Sequence, residues 1–178
     1  METKRCFVCI EPDSAVKNNI ALVSRELKQF GVPMNYVEPT QYHINLEFLG
    51  DVAADALGGI SERWRRVSEK TLPFPINVRG ISAFPNQASP RVVFAQCRGA
   101  YELERLGVPE AGPGAFRPHI TIGRVKLLKG NFGGIFDKFG ELEFGSFIAK
   151  EILLKESRLG ETGAVHETIE RFTLGKWQ

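Results

Sequence analysis

Apolar and polar positions divide this chain into short periodic segments. Arg5 to Ile10 reads as a first strand, closed by "EPDS", where Pro12, Asp13 and Ser14 are natural helix starters. Val16, Ile20, Val23, Leu27 and Phe30 then recur at helical spacing and Gly31 follows, so a helix is predicted from Asp13 to Phe30. A short extended piece around Tyr36 precedes the strand "YHINLEFLG". Next comes a helix from about Ala53 to Lys70, with Leu57, Ile60, Trp64 and Val67 on its apolar stripe and Gly58-Gly59 weakening its middle. After Pro73, "FPINVRGISAF" and "RVVFAQC" read as strands parted by a Pro/Asn/Ser turn. A short helix "AYELERLG" and the Gly/Pro-rich loop "GVPEAGPGAF" lead to the strand "PHITIGRV". A Phe-rich piece from Gly130 to Gly140 and two last strands, "EFGSFIAKEILLKES" and "ETIERFTLG", finish the chain. Antiparallel-looking strands interleaved with few helices predict an α+β fold.

The strands "YHINLEFLG" and "PHITIGRV" are near copies, and two of the three histidines open them. Strict alternation puts His43, Asn45 and Glu47 on one face and Ile44, Leu46 and Phe48 on the other. In the second copy His119, Thr121 and Gly123 share a face opposite Ile120 and Ile122. A lone histidine beside an apolar strand is ordinarily a structural residue; two in matching strands point to a shared site. The duplication predicts two pseudo-symmetric lobes of antiparallel sheet flanked by helices, meeting at a central cleft that carries both motifs, within one domain over 1–178. Two imidazoles across a cleft suit phosphodiester cleavage, one as a neutral base for the attacking water and one as a protonated acid for the leaving alkoxide. Asn45 and Thr121 can donate hydrogen bonds to non-bridging phosphate oxygens. His166, in "GAVHET", lacks the pattern and is expected at a surface or turn.

Composition narrows the class without naming a substrate. The 178 residues are 43% hydrophobic and 25% charged, ordinary for a soluble domain. No apolar run approaches the roughly 18 residues of a membrane span and no signal peptide is visible, so a cytoplasmic home is the default expectation; a monomer is expected separately. The odd count of three cysteines cannot complete a disulfide framework. Cys6 and Cys9 lie three apart in a strand, on opposite faces, and are expected as small buried residues and not as a metal or redox pair. A net charge of +2 gives no basic stripe, so charge alone does not indicate RNA. The densest basic cluster, "ERWRR", is expected to be a solvated helix face. No Gly-rich loop precedes Lys-Ser/Thr, which argues against an ATP site. A two-histidine metal hydrolase would need a carboxylate, and only Glu47 stands nearby.

The chain resembles the 2H phosphoesterase superfamily, and within it the RNA 2′,3′-cyclic phosphodiesterases also named 2′-5′ RNA ligases. The resemblance rests on "HINLEFLG" and "HITIGRVK" and extends through "CFVCIEPDSAVK", "RGISAFPNQASPRVVFA", "FGSFIAKEILLKESRL" and "ETIERFTL". It implies His43 as general acid (proton donor) and His119 as general base (proton acceptor), with water attacking a 2′,3′-cyclic phosphate to leave a 2′-phosphate. It also implies Arg124 on the phosphate, Phe48 stacked on the terminal base, and no metal or cofactor. The partners implied are RNA ends, tRNA-derived ones among them, or small cyclic nucleotides. Two alternatives stay open: 2′-5′ ligation, the reversal with a hydroxyl nucleophile, and a non-catalytic RNA-end binder. Alternation places Arg124 and Phe48, each five residues past its histidine, on the wrong face. A bulge near each strand end, with Gly123 suited to one, would bring them back; without it Phe48 is core and Arg124 an ion-pair partner. Asn45 stands where the family usually has Thr or Ser, and "AYELERLG" is shorter than the helix of relatives.

Overall fold

The computed structural model describes residues 3–98, 101–107, 116–127, 132–160 and 163–175. Most of the Gly/Pro-rich loop and the start of the Phe-rich piece fall outside them. Strand β1 (Thr3–Ile10) leads to helix α1 (Ser14–Gln29), whose cap Asp13 accepts a hydrogen bond from the Val16 N–H at 2.9 Å. The helix buries Val16, Ile20, Val23 and Leu27, and the chain leaves it through Gly31 at φ +70°. Strand β2 (Met34–Tyr36), a 3-10 turn (Pro39–Gln41) and β3 (Ile44–Ala53) follow. A second 3-10 turn (Ala54–Ala56) then opens α2 (Leu57–Glu69), so the regular helix is shorter than the pattern suggests. The remainder is β4 (Phe74–Phe84), β5 (Val92–Arg98), α3 (Tyr101–Leu106), β6 (His119–Val125), α4 (Phe132–Phe139), β7 (Glu143–Ala149), β8 (Glu151–Gly160) and β9 (Gly163–Thr173).

One difference from the sequence reading reshapes the topology. "EFGSFIAKEILLKES" is two strands, broken at Lys150, because β7 pairs with β4 while β8 pairs with β1 and β9. The resulting α+β architecture is an antiparallel sheet with strand order β7-β4-β5-β6-β3-β1-β8-β9, and β2 also paired to β6. The two halves are therefore not consecutive in sequence: the closing strands β8 and β9 return to the half built on β1 and β3. Helix α1 crosses in the other direction, following β1 but packing against β7, while α2 packs on β8 and β9.

The link between β7 and β8 also shows that the sheet is bent. These strands stand six places apart in the order, roughly 29 Å across a flat sheet at about 4.8 Å per strand. Only Lys150 separates them, a reach of at most about 7 Å. The halves must fold toward each other, and the narrow point is the junction of β3 with β6, where Ile44↔Ile120 is the register pair. Beyond it β2 occupies the edge of β6, matching Met34, Asn35 and Tyr36 to Val125, Arg124 and Gly123.

The main core runs through Val8, Ile20, Leu27, Ile44, Ile81, Ile120 and Ile152, all essentially sealed from solvent. Phe7, Cys9 and Leu153 form a separate small cluster on the other face of β1 and β8. Cys6 belongs to the main core and Cys9 to the small cluster, so the two thiols lie on opposite faces as expected, both buried. Arg63, Arg65 and Arg66 lie on the solvated side of α2. No described helix is long and apolar enough to cross a membrane.

Candidate active site

Both histidine strands carry a bulge at the same place. In β3, Val8↔Glu47 gives way to Cys9↔Asn45, leaving Leu46 unmatched. In β6, Val93↔Gly123 gives way to Phe94↔Thr121, leaving Ile122 unmatched. Each unmatched residue lies three past its histidine, is apolar and is fully buried. One extra residue inverts the alternation beyond it. Phe48 therefore sits opposite Phe7, on the histidine side, and is 58% exposed; Leu49 packs against the core instead. Arg124 is likewise exposed, on the Thr121 side of β6, and close enough for its charge to act on His119. A Cβ on Gly123 would stand 3.1 Å from the Asn35 carbonyl oxygen, so the residue after the β6 bulge lets β2 approach.

The same inversion corrects the reading of Glu47. By alternation it joins His43 and Asn45; in the structure it pairs with Val8 and points to the helix side. There its carboxylate accepts from Trp64 Nε1 at 3.0 Å and is ion-paired with Arg63. The carboxylate that a two-histidine metal site would have needed is engaged on the far face of the strand.

The histidines themselves are held alike. His43 Nδ1 lies 2.7 Å from the Gln41 carbonyl oxygen, and His119 Nδ1 lies 2.6 Å from that of Arg117. A carbonyl only accepts, so both Nδ1 atoms carry hydrogen and both Nε2 atoms are left for chemistry. Around the antiparallel pair Ile44↔Ile120, register sets His43 opposite Thr121 and Asn45 opposite His119. The side-chain amide oxygen Oδ1 of Asn45 is buried without a hydrogen-bond partner. Each imidazole is flanked by two rings. His119 lies 5.0 Å from Phe84, edge-on, and 5.0 Å from Phe94, while His43 lies 4.9 Å from Phe7 and 5.3 Å from His166, edge-on.

His166 is thus not a surface or turn residue. It is in the interior of β9, opposite Ser157, with its ring against both Phe7 and His43. Sequence reasoning set it aside because it lacks the H-x-[small polar] pattern; its place in an alternating strand run was the available signal. Lys155, buried and opposite Phe7, is ion-paired with Glu11, which also holds Lys17 at 2.6 Å.

This setting makes both candidate histidines reluctant to take a proton. Burial pushes His43 down to about 4, assisted by His166 and Lys155 and opposed by the Gln41 carbonyl and Glu11. Burial also lowers His119, against its Arg117 hydrogen bond and with a smaller push from Arg124. Among the described residues no group of three or more His, Cys, Asp or Glu side chains could hold a metal ion.

Several known proteins resemble this chain in sequence and fold. A family model described as LigT like Phosphoesterase matches residues 10–94, which contain the first histidine strand. An RNA 2′,3′-cyclic phosphodiesterase of Archaeoglobus fulgidus is 33% identical, with 94% of this chain and 99% of that protein aligned. The chain belongs to the LigT-like phosphoesterase family. Among solved structures, TT0787 of Thermus thermophilus superposes with a TM-score of 0.81 at 26% identity, covering 97% of this chain and 100% of that one. Escherichia coli LigT complexed with 3′-AMP superposes with a TM-score of 0.75 at 19% identity, covering 98% and 100%. In this LigT-like chain, then, the α+β fold and its antiparallel sheet carry His43 with Asn45 on one side of Ile44↔Ile120 and His119 with Thr121 on the other.

Proposed function

We propose that this protein hydrolyses the 2′,3′-cyclic phosphate at the end of an RNA, leaving a 2′-phosphate, by acid–base catalysis between His43 and His119. The observation that carries the reading is that both imidazoles have Nδ1 committed to a backbone carbonyl, with no hydrogen bond to Nε2 among the described residues, on either side of Ile44↔Ile120. Relatives named RNA 2′,3′-cyclic phosphodiesterase, aligned over nearly their whole length, support the choice of substrate.

In this mechanism His119 Nε2 takes a proton from water as its oxygen attacks phosphorus. The bond from phosphorus to O3′ breaks, and O3′ takes the proton of His43 Nε2, giving a 3′-hydroxyl and a 2′-phosphomonoester. Thr121 and Asn45 donate to the non-bridging oxygens as charge builds on them, and Arg124 offsets that charge. Phe48, exposed on the same side, offers a face for the terminal base. The phosphate anion resolves the low proton affinity of free His43: seated against its Nε2, it favours the charged form and loads the acid on binding, while burial keeps His119 neutral as the base. The reading takes the chain as one domain acting as a monomer, and three free, buried cysteines fit a reducing cytoplasm.

The test is hydrolysis of an RNA oligomer ending in a 2′,3′-cyclic phosphate, with a strong chelator present, by wild type, His43→Ala and His119→Ala. Turnover to a 2′-phosphate that falls on the order of 100- to 10,000-fold in each variant is expected. Binding without turnover by the wild type, or turnover that survives in His43→Ala, overturns the proposal.

A further inference from the structure

The ring environments of the two catalytic candidates differ in one respect. His119 is flanked by Phe84 and Phe94, neither of which can carry charge. His43 is flanked by Phe7 and by His166, whose ring stands edge-on at 79° with centroids 5.3 Å apart. Phe84 meets His119 in nearly the same way, at 80° and 5.0 Å. His166 is therefore the counterpart of Phe84 in the other half of the sheet, with a titratable ring in place of an apolar one. Its Nδ1 is buried without a hydrogen-bond partner, so packing alone does not use its polarity.

Resting on the reading of His43 as the proton donor, we propose that His166 is a positioning residue for His43: its ring fixes the edge of the His43 imidazole, and the protonation of the two rings is coupled. Two imidazoles in contact cannot both become cations freely, because the first charge opposes the second. The other groups around His166 are Phe7 from β1, Lys155 from β8 and Glu11 after β1, the last also tied to Lys17 of α1. Lys155 is neutralised locally by Glu11, so the variable charge beside His43 is that of His166. The device makes the two catalytic histidines unlike: one titrates against a partner, the other beside inert rings. Burial, with Lys155, lowers His166 as well, so in the empty site a proton taken up by either ring opposes charging of the other. An anionic phosphate bound at His43 Nε2 shifts that proton preference toward the acid that needs it.

Imidazole NMR titration of the free full-length protein tests this without reference to turnover. In the wild type, the His43 and His166 signals are expected to share two titration steps separated by about 1 unit or more. In His166→Phe, which keeps a ring and removes the charge, the His43 curve should collapse to a single step. A single-step His43 curve with the same midpoint in both proteins overturns the coupling. Kinetics supply the second arm. In His166→Phe the alkaline limb of kcat/KM should move to a different pH, whereas Phe84→Leu should lower kcat without moving it. In His166→Ala, kcat should fall on the order of 10-fold with little change in KM, and His166→Phe should recover most of that loss. An unmoved alkaline limb in His166→Phe counts against the proposal even if both variants slow the enzyme. Activity retained in His43→Ala would instead remove the underlying acid assignment, an outcome the NMR arm reads separately.

Discussion

Ile44 of β3 pairs with Ile120 of β6, and both side chains are fully buried where the two halves of the sheet meet. Each follows a histidine directly, so the packing of two isoleucines sets the spacing of two imidazoles. Ile44→Ala should cost about 2–5 kcal/mol of stability and Ile44→Val about 0.5–1.5 kcal/mol. Denaturant unfolding measures both, and in surviving folded protein kcat should fall more than KM rises. The double variant with Ile120→Val should deviate from additivity, since the residues touch.

The pH profile of the reaction follows from the lowered histidines. Burial places His43 near 4 and His119 below its usual value, so as pH rises the free enzyme loses the proposed acid, His43, past about 4 and gains the proposed base as His119 deprotonates. The maximum of kcat/KM should lie below pH 6.5. The alkaline limb of kcat, which reports the complex, should lie at higher pH because bound phosphate favours the protonated His43. A kcat/KM maximum above pH 7 contradicts this expectation.

Folding stability should carry the same signature. A histidine whose folded value lies below its unfolded one binds fewer protons when folded, so its contribution is complete above about pH 6.5 and declines as pH falls toward 4. Between pH 6.5 and 4.5, thermal melting of the wild type should fall, and His43→Gln should show a shallower slope. Below that window the ion-paired Glu156, held at about 2, and Glu11 add losses of their own as they protonate.

Glu47 predicts the opposite pairing of effects from the histidines. Its carboxylate satisfies the buried Trp64 indole, so Glu47→Ala should cost about 1–3 kcal/mol by leaving Nε1 unpaired. Turnover by the folded Glu47→Gln protein should persist with chelator present. Loss of activity restored by a divalent metal would instead make Glu47 a ligand.

Phe48 should behave as a binding residue and not as core. At 58% exposure, Phe48→Ala should change stability by no more than about 0.5 kcal/mol. It should raise KM for an RNA end on the order of 10-fold, as expected for a lost stacking face. Equal loss for cyclic-phosphate ends and for inorganic phosphate binding would show that the effect is not base stacking.

Much of this molecule is legible in its residue pattern. The periodicity of Val16, Ile20, Val23 and Leu27, with Asp13 before and Gly31 after, locates α1 to within a residue at either end. The repeated H-x-[Asn/Thr]-apolar strands locate both imidazoles. Less legible are the side chains beyond each bulge, because nothing local in "HINLEF" tells Leu46 from an ordinary inward residue. The unmatched positions exist only relative to β1 and β5, and they decide that Phe48 and Arg124 face the histidines while Glu47 does not.

By itself the sequence determined most of the elements, the α+β class and the two matching histidine strands, because alternation and helical spacing are properties of neighbouring residues. Tertiary structure alone decided that β8 and β9 return to the first half, that α1 crosses to the second, and that His166 rests against His43. The physical reason is that pairing register and ring contacts are long-range. Their free energy comes from surfaces that meet only when distant segments share one bent sheet, and no window along the chain contains both partners.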